Sequence, residues 1–288
     1  MTKVLITGAT GNVGLEVIQS LGLTGHQMEI YAGVRDLKEG KGTFKNDRIN
    51  LLPFDFTDLQ TFKPALEVCD ILFLLRPPHI AEVEKYFKPL IKMAVQCNIQ
   101  HIVFLSVQGV ENSRIIPHHK IEKLIVESKI PYTFLRPAYF MQNFTSTLRN
   151  DLVNKKRIFL PAGNARFTII DVRDIGLVAA IILADTSEHI NKAYDLTCNE
   201  KLTFGEMAQR LSTGLGIDIH YESPSLLNFY LVKRREKTPF MFILVMIMLH
   251  YFPRFQKEPE ISDWTEQIIG RQATRFDVFV SDYKNLLR

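Results

Sequence analysis

Cysteine is scarce. The 288 residues hold three, Cys69, Cys97 and Cys198, with no C-x-x-C pair and no metal-ligand spacing. That excludes a disulfide scaffold and a zinc module, and it reads as buried, reduced thiols. The neighbours His118 and His119 do not replace such a module: adjacent side chains on a helix point apart, and no third ligand is spaced to join them. No metal site is expected. A surplus of one charge is also missing. Thirty-five Lys and Arg against 31 Asp and Glu leave a net +4, and no basic run dominates, so nucleic acid is not expected as a direct partner. Lys3 is followed at once by Val4-Leu5-Ile6 and a glycine turn, which is the start of a strand rather than a secretory leader. The expected location is therefore cytoplasmic, and the acceptor triplet Asn143-Phe144-Thr145 is a chance match. Long apolar runs are absent too. Phe240 to Leu249 is unbroken apolar sequence but reaches only about half of the ~20 residues that span a bilayer.

What is present is a globular composition, 46% hydrophobic and 23% charged. The length suits one large domain or two intimate ones. Short apolar runs alternate with helical patterns through the first two-thirds. Val4–Ile6, Met28–Val34, Ile49–Phe54, Ile71–Leu75, Ile102–Leu105 and Tyr132–Leu135 read as strands. Val13–Leu21, Glu82–Cys97 and His119–Ser128 carry helical stripes, and Pro89 should kink or split the second of these. Strands that each lead into a helix mean βαβ units and a parallel sheet. After about residue 145 the pattern changes. Phe167–Ile170 and Tyr194–Leu196 read as strands and Asp174–Ala184 as a helix. Thr203 with Glu206 forms a capping box before a helix to about Leu215, and Thr238-Pro239 has the composition of an N-cap with proline at the first helical position. The expected organisation is a nucleotide-binding domain over 1–145, rejoined by 166–185, and a smaller substrate-side α+β domain over 146–288.

Thr7-Gly8-Ala9-Thr10-Gly11-Asn12-Val13-Gly14 lies directly between the first strand and the first helix. In such a turn Gly8 permits the tight exit from the strand, Gly11 lets backbone approach a pyrophosphate, and Gly14 lets the helix pack close to the sheet. Free N–H groups at the helix start then face the phosphates. The fold class this predicts is α/β, a doubly wound parallel-sheet Rossmann fold. The second strand ends Gly33-Val34-Arg35-Asp36. An acidic residue at that strand end suits the ribose hydroxyls of NAD, whereas arginine suits a 2′-phosphate. Arg35, with Lys38 or Lys41 adding charge, favours NADP(H) over NAD(H). The alternative is that Asp36 does the acidic work.

Gly8 to Gly14, Val34-Arg35-Asp36, Asp55-Phe56-Thr57-Asp58, Ile130-Pro131-Tyr132-Thr133-Phe134-Leu135-Arg136-Pro137, Phe140-Met141-Gln142-Asn143 and Phe167 to Gly176 together resemble the NmrA-like family of atypical short-chain dehydrogenase/reductases. The resemblance covers roughly residues 1 to 185, and the Pro-Tyr-Thr-Phe-Leu-Arg-Pro stretch is its most specific part. It implies a bound NADP(H) held by Gly8, Thr10, Gly11, Asn12, Val13, Gly14 and Arg35. Asp55 and Phe56 would lie beside the adenine, and Leu74, Leu75 and Arg76 would pass over the cofactor. Ser106 and Val107 would lie near the nicotinamide ribose, with Pro137, Tyr139 and Phe140 bracketing the nicotinamide. Tyr139, Met141 and Asn143 would line a substrate pocket. Members of the family include quinone and triphenylmethane-dye reductases, isoflavone-type reductases and non-catalytic redox sensors.

Short-chain reductases use a Tyr and a Lys spaced Y-x-x-x-K. In relatives that keep the lysine it stands thirteen residues before the proline of the Ile-Pro-Tyr-Thr stretch. Counting back from Pro131 reaches His118, and four residues earlier stands Arg114. Neither expected residue is present. His118 either takes the lysine's place as a ribose contact or proton donor, since histidine titrates near neutrality, or there is no dyad. Hydride then passes directly to a small, flat, apolar acceptor such as a quinone or dye. The remaining alternative is a non-catalytic NADP(H) sensor acting through a protein partner; a homodimer is also open. For the apolar run Phe240–Leu249, preceded by Lys233-Arg234-Arg235 and Lys237, three readings stand: a buried helix, a wall of an apolar pocket made adaptable by Met241, Met246 and Met248, or a helix resting on a membrane surface.

Overall fold

The computed structural model describes all residues except 24, 26, 27 and 45–47. In chain order the elements are β1 (Thr2–Ile6), α1 (Asn12–Leu23), β2 (Met28–Val34), α2 (Leu37–Thr43), β3 (Ile49–Pro53), α3 (Phe62–Leu66), β4 (Ile71–Leu75), α4 (Val83–Gln96), β5 (His101–Leu105), α5 (Pro117–Ser128) and β6 (Tyr132–Pro137). There follow β7 (Tyr139–Phe140), α6 (Arg149–Lys155), β8 (Arg157–Phe159), β9 (Arg166–Ile170), α7 (Val172–Ala184), β10 (Lys192–Leu196), β11 (Lys201–Thr203), α8 (Phe204–Leu215) and β12 (His220–Glu222). The chain ends with α9 (Leu226–Arg235), α10 (Phe240–Tyr251), α11 (Trp264–Ile269), α12 (Phe276–Asp282) and α13 (Lys284–Leu287).

These elements form two compact units. Unit 1 is Met1–Pro137, Val172–Leu196 and Trp264–Arg271; unit 2 is Ala138–Asp171, Thr197–Asp263 and Gln272–Arg288. The first boundary falls at Pro137, not near residue 145. The segments that rejoin unit 1 are 172–196 and 264–271 rather than 166–185.

Unit 1 carries a seven-stranded sheet in the order β3-β2-β1-β4-β5-β6-β10. Every neighbouring pair is parallel. Helices cover such a sheet on both faces, so its central strands read as unbroken apolar runs: Val4, Leu5 and Ile6 are fully buried, as are Leu72, Phe73 and Leu74. The strand order reverses direction between β1 and β4, the point at which doubly wound sheets open a ligand crevice beyond the carboxyl ends of the strands. Gly176 on α7 lets α1 approach closely; a Cβ there would lie 2.7 Å from the Glu16 carbonyl carbon. Trp264 of α11 packs edge-on against Tyr194 of β10 at 5.0 Å, and Arg271 reaches the fully buried Asp174 at 2.7 Å. Pro89 does not split α4, which runs unbroken from Val83 to Gln96. The carbonyl it leaves without an i+4 donor belongs to Lys85, an exposed residue.

Unit 2 has two small sheets, β11-β9-β7 and β12-β8. Its core is aromatic, built on Phe144, Phe159, Phe167, Phe204, Phe229, Phe276 and Phe279. Thr203 caps α8 with the full capping box: its hydroxyl accepts from Glu206 N–H at 3.1 Å, while Glu206 Oε2 accepts from Thr203 N–H at 2.7 Å. Thr238 is not the cap of α10. Pro239 holds that position and the helix starts at Phe240; no side chain caps it, since the proline ring carries no acceptor, and the Pro239 carbonyl receives the Phe242 and Ile243 N–H groups. Nor is α10 a buried helix. Only Ile243, Met246 and His250 are buried, and the opposite side is exposed. Lys233 leaves the basic run: it is buried against Asp151 and Glu236.

Candidate nucleotide site

In a parallel sheet the loops after the strands all emerge on one edge. Unit 1 thereby collects the turn after β1, Arg35 after β2, Leu75 and Arg76 closing β4, and Ser106 and Val107 after β5. The turn is held by Thr7, a residue that glycine spacing alone does not single out. Its N–H and hydroxyl both donate to Phe73 O, at 3.0 and 3.1 Å, and its Oγ1 accepts from Leu75 N–H at 2.8 Å. The chain then turns at Gly8, φ +60°, where a Cβ would meet Leu75 Cδ2 at 3.0 Å. Gly11 N–H closes the turn on Gly8 O at 3.0 Å. Gly14 has the least room of the three: a Cβ there would lie 2.3 Å from Gly8 O and 2.8 Å from Ala9 Cα. Thr10, Gly11 and Asn12 are exposed on the turn. Val13 is buried, so its contribution is its backbone alone. The first N–H groups of α1 have no partner within the helix and point out of its start, which suits a diphosphate.

Arg35 leaves β2 exposed, and among the described residues no carboxylate pairs with it. Asp36 does not compete for a ribose: it is the N-cap of α2, and its Oδ1 accepts from Lys38 N–H at 2.7 Å. The strand end therefore offers a free cation, with Lys38 and Lys41 exposed on the helix behind it. Asp55 Oδ1 binds its own turn through Thr57 N–H and Oγ, each at 2.8 Å. The Phe56 ring is core, edge-on to Phe54 at 5.0 Å and tilted on Phe87 at 5.2 Å. Ser106 is the one site side chain that asks for a ligand: its hydroxyl is buried with no hydrogen-bond partner. Such orphans are rare in folded chains and carry a free-energy cost until satisfied.

His118 does not stand ready to titrate near neutrality. Arg76 Nε donates to its Nε2 at 3.3 Å, which places its own proton on Nδ1. Burial, and then the Arg76 cation, push it down to about 3. Arg76 is itself committed inward, with Nη1 donating to the carbonyls of Pro77, Pro78 and Ile80 at 3.0, 3.2 and 2.7 Å. The pair shapes the loop after β4; His118 stays neutral at physiological pH.

The remaining expected residues lie at the boundary or in unit 2. Pro137 closes β6, buried, and its carbonyl accepts from Gln108 N–H at 3.0 Å. Tyr139 and Phe140 form the half-buried β7. Met141 has no exposed surface and packs in the core of unit 2, so it offers nothing to a pocket wall, whereas Asn143 is half-buried. Tyr139 has a partner that sequence reasoning missed. His250 Nδ1 donates to Met246 O at 2.6 Å, so its Nε2 accepts the Tyr139 hydroxyl proton at 3.2 Å. Burial pushes the Tyr139 phenol well up and His250 down to about 4, and the ring pair is enclosed by Phe167 and Phe204. The available signal was that His250 is the lone imidazole ending a long apolar helix.

Among the described residues no group of three His, Cys, Asp or Glu is placed to hold a metal ion, and no helix is long and apolar enough to cross a membrane.

A parallel sheet in this order, with a glycine turn at its switch point, defines a Rossmann-type α/β protein. The model of the NmrA-like family matches residues 1–263, and the chain belongs to that family. The match extends well past residue 185, where the recognisable motifs end. Prestalk A differentiation protein A of Dictyostelium discoideum is 30% identical over 220 residues, covering 76% of this chain and 72% of its own. An NAD(P)H azoreductase of Xenophilus azovorans is 28% identical, covering 77% of each chain. The triphenylmethane reductase of Citrobacter sp., solved with NADP(H), superposes with a TM-score of 0.84 at 23% identity, over 98% of this chain and 99% of that one.

Proposed function

We propose that unit 1 binds NADP(H) and that the protein is a reductase of a small, flat, apolar acceptor such as a quinone or dye. The observation that carries the cofactor is the glycine turn at the switch point, latched by Thr7, with unpaired Arg35 one strand away. The α1 start would receive the diphosphate, Arg35 a 2′-phosphate, and the orphaned Ser106 hydroxyl a ribose hydroxyl. When bound, the nicotinamide supplies a hydride. The expected acid–base pair is missing: Arg114 and His118 stand at the positions counted back for a Tyr and a Lys, and His118 is held neutral by burial and the Arg76 cation. That is the reason for an acceptor such as a quinone, which takes a hydride without a dedicated proton donor and its proton from water. The relatives named azoreductase and triphenylmethane reductase support this class.

The same missing dyad favours a second reading, a redox sensor that binds NADP(H) without turnover and acts through a protein partner. Calorimetry comes first. NADPH should bind more tightly than NADH, and Arg35→Ala should lower NADPH affinity at least about tenfold while leaving NADH nearly unchanged. Equal effects on the two cofactors would remove the 2′-phosphate assignment. A panel of quinones and dyes follows. Oxidation of NADPH above background supports the reductase, and tight binding without turnover supports the sensor.

A further inference from the structure

The uniform hydrophobicity of α10 is divided between two faces. Ile243, Met246 and His250 point into the core of unit 2. On the far side, at helical spacing, Met241 is 68% exposed, Leu244 40%, Met248 45% and Leu249 47%, and Phe252 and Phe255 continue outward beyond the helix. The preceding helix repeats the arrangement. Phe229 and Lys233 of α9 are buried, while Leu227, Leu231, Arg234 and Arg235 share its outer face. The two helices touch through Tyr230 and Phe240, with centroids 6.3 Å apart. Isolated surface leucines need no explanation, but a run of exposed Met, Leu and Phe on adjoining elements does.

Charge says what covers it. No acidic residue occurs from Lys237 to Lys257. Glu236, just before, is turned inward to Lys233 and Lys155. Arg234, Arg235 and Lys237 are exposed at one end of α10. At the other end the Arg254 guanidinium lies over the Tyr251 ring at 5.0 Å and the Phe255 ring at 5.8 Å; Lys257 is balanced by Glu260. A second copy meeting this face about a two-fold axis would bring the same cations against one another. An anionic bilayer offers what the face lacks: negative charge for the arginines and lysine, and an acyl boundary for the methionines, leucines and phenylalanines.

We propose that the outer face of α9 and α10, with Phe252 and Phe255, seats unit 2 on an anionic phospholipid surface without crossing it. The inference is independent of the reductase assignment, because binding is read without turnover. The test is co-sedimentation of the full chain with vesicles of phosphatidylcholine containing phosphatidylserine, and with vesicles of phosphatidylcholine alone. The expected result is binding to the anionic vesicles that weakens as salt is raised, with little binding to the neutral ones. Arg234→Glu, Arg235→Glu and Lys237→Glu together should lower it roughly a hundredfold, and Leu244→Gln with Met248→Gln at least about tenfold. Circular dichroism and a melting curve confirm that each variant is folded, and the charge variant alters exposed residues only. No binding to anionic vesicles, equal binding to both vesicle types, or a dimer in light scattering that Leu244→Gln with Met248→Gln dissolves and that does not bind vesicles would overturn the proposal.

Discussion

Acid should unfold this protein partly through His250. The imidazole is 3% exposed, its Nδ1–H is given to Met246 O, and its Nε2 accepts from Tyr139. Burial lowers its pKa from 6.5 to about 4. The unfolded chain takes up this proton below about 6.5, the folded chain only near 4, so between those values protons favour unfolding. The stability associated with the neutral ring is complete above pH 6.5 and is lost as pH falls towards 4. From those two pKa values the loss is about 2 kcal/mol at pH 5 and about 3 kcal/mol at pH 4, a sizeable share of a typical folding free energy. His250→Gln isolates it. The amide can donate to Met246 O and accept from Tyr139 but cannot titrate. Urea unfolding followed by far-ultraviolet circular dichroism, near neutrality and near pH 5, gives the difference. Tryptophan emission is the wrong probe, because the only tryptophan, Trp264, lies in unit 1. The wild type should lose about 2 kcal/mol more than the variant between the two conditions. Equal losses would refute a buried neutral His250.

Three further outcomes follow from named contacts. Gly14→Ala places a Cβ 2.3 Å from Gly8 O, so the turn must move; NADPH affinity by calorimetry should fall at least about tenfold. Thr203→Ala removes the cap of α8 and half of its capping box, and urea unfolding should show a loss of about 1 kcal/mol. Lys233→Met takes the buried partner from Asp151 and should cost about 2 kcal/mol in the same assay, with Asp151→Asn in the double variant restoring part of it.

Strands β1 to β6 and helices α1, α4, α5 and α7 were legible because each has one period and a clear stop; α2, α3 and α11, five to seven residues long, are too short to show one. The β1 turn combines three glycines with a strand before it and an amphipathic helix after it, and no other element satisfies that combination. The Thr203 box was legible for the same reason: capping is local chemistry three residues long. Failures occurred where distant chain decides. Nothing near Lys233 announces that Asp151, far back in the sequence, will bury it. Nothing near His250 announces Tyr139. Thr238-Pro239 has cap composition, but proline itself takes the capping position. His118 carries ordinary histidine chemistry until Arg76 is placed against it. The short strands β7, β8, β11 and β12 are two or three residues long, too short for alternation to register.

The two units are woven from one thread. The chain passes between them after Pro137, Asp171, Leu196, Asp263 and Arg271. A ribosome that has released β6 has made six of the seven strands of the large sheet, but the seventh, β10, follows only after a stretch of the other unit. The helix that covers Tyr194, and the Arg271 that neutralises buried Asp174, come later still. Chains built as beads on a string fold each domain as it emerges. Here neither core closes until the last turns of the polypeptide are free, so a nascent or truncated chain ending before Trp264 exposes unfinished surface in both units at once.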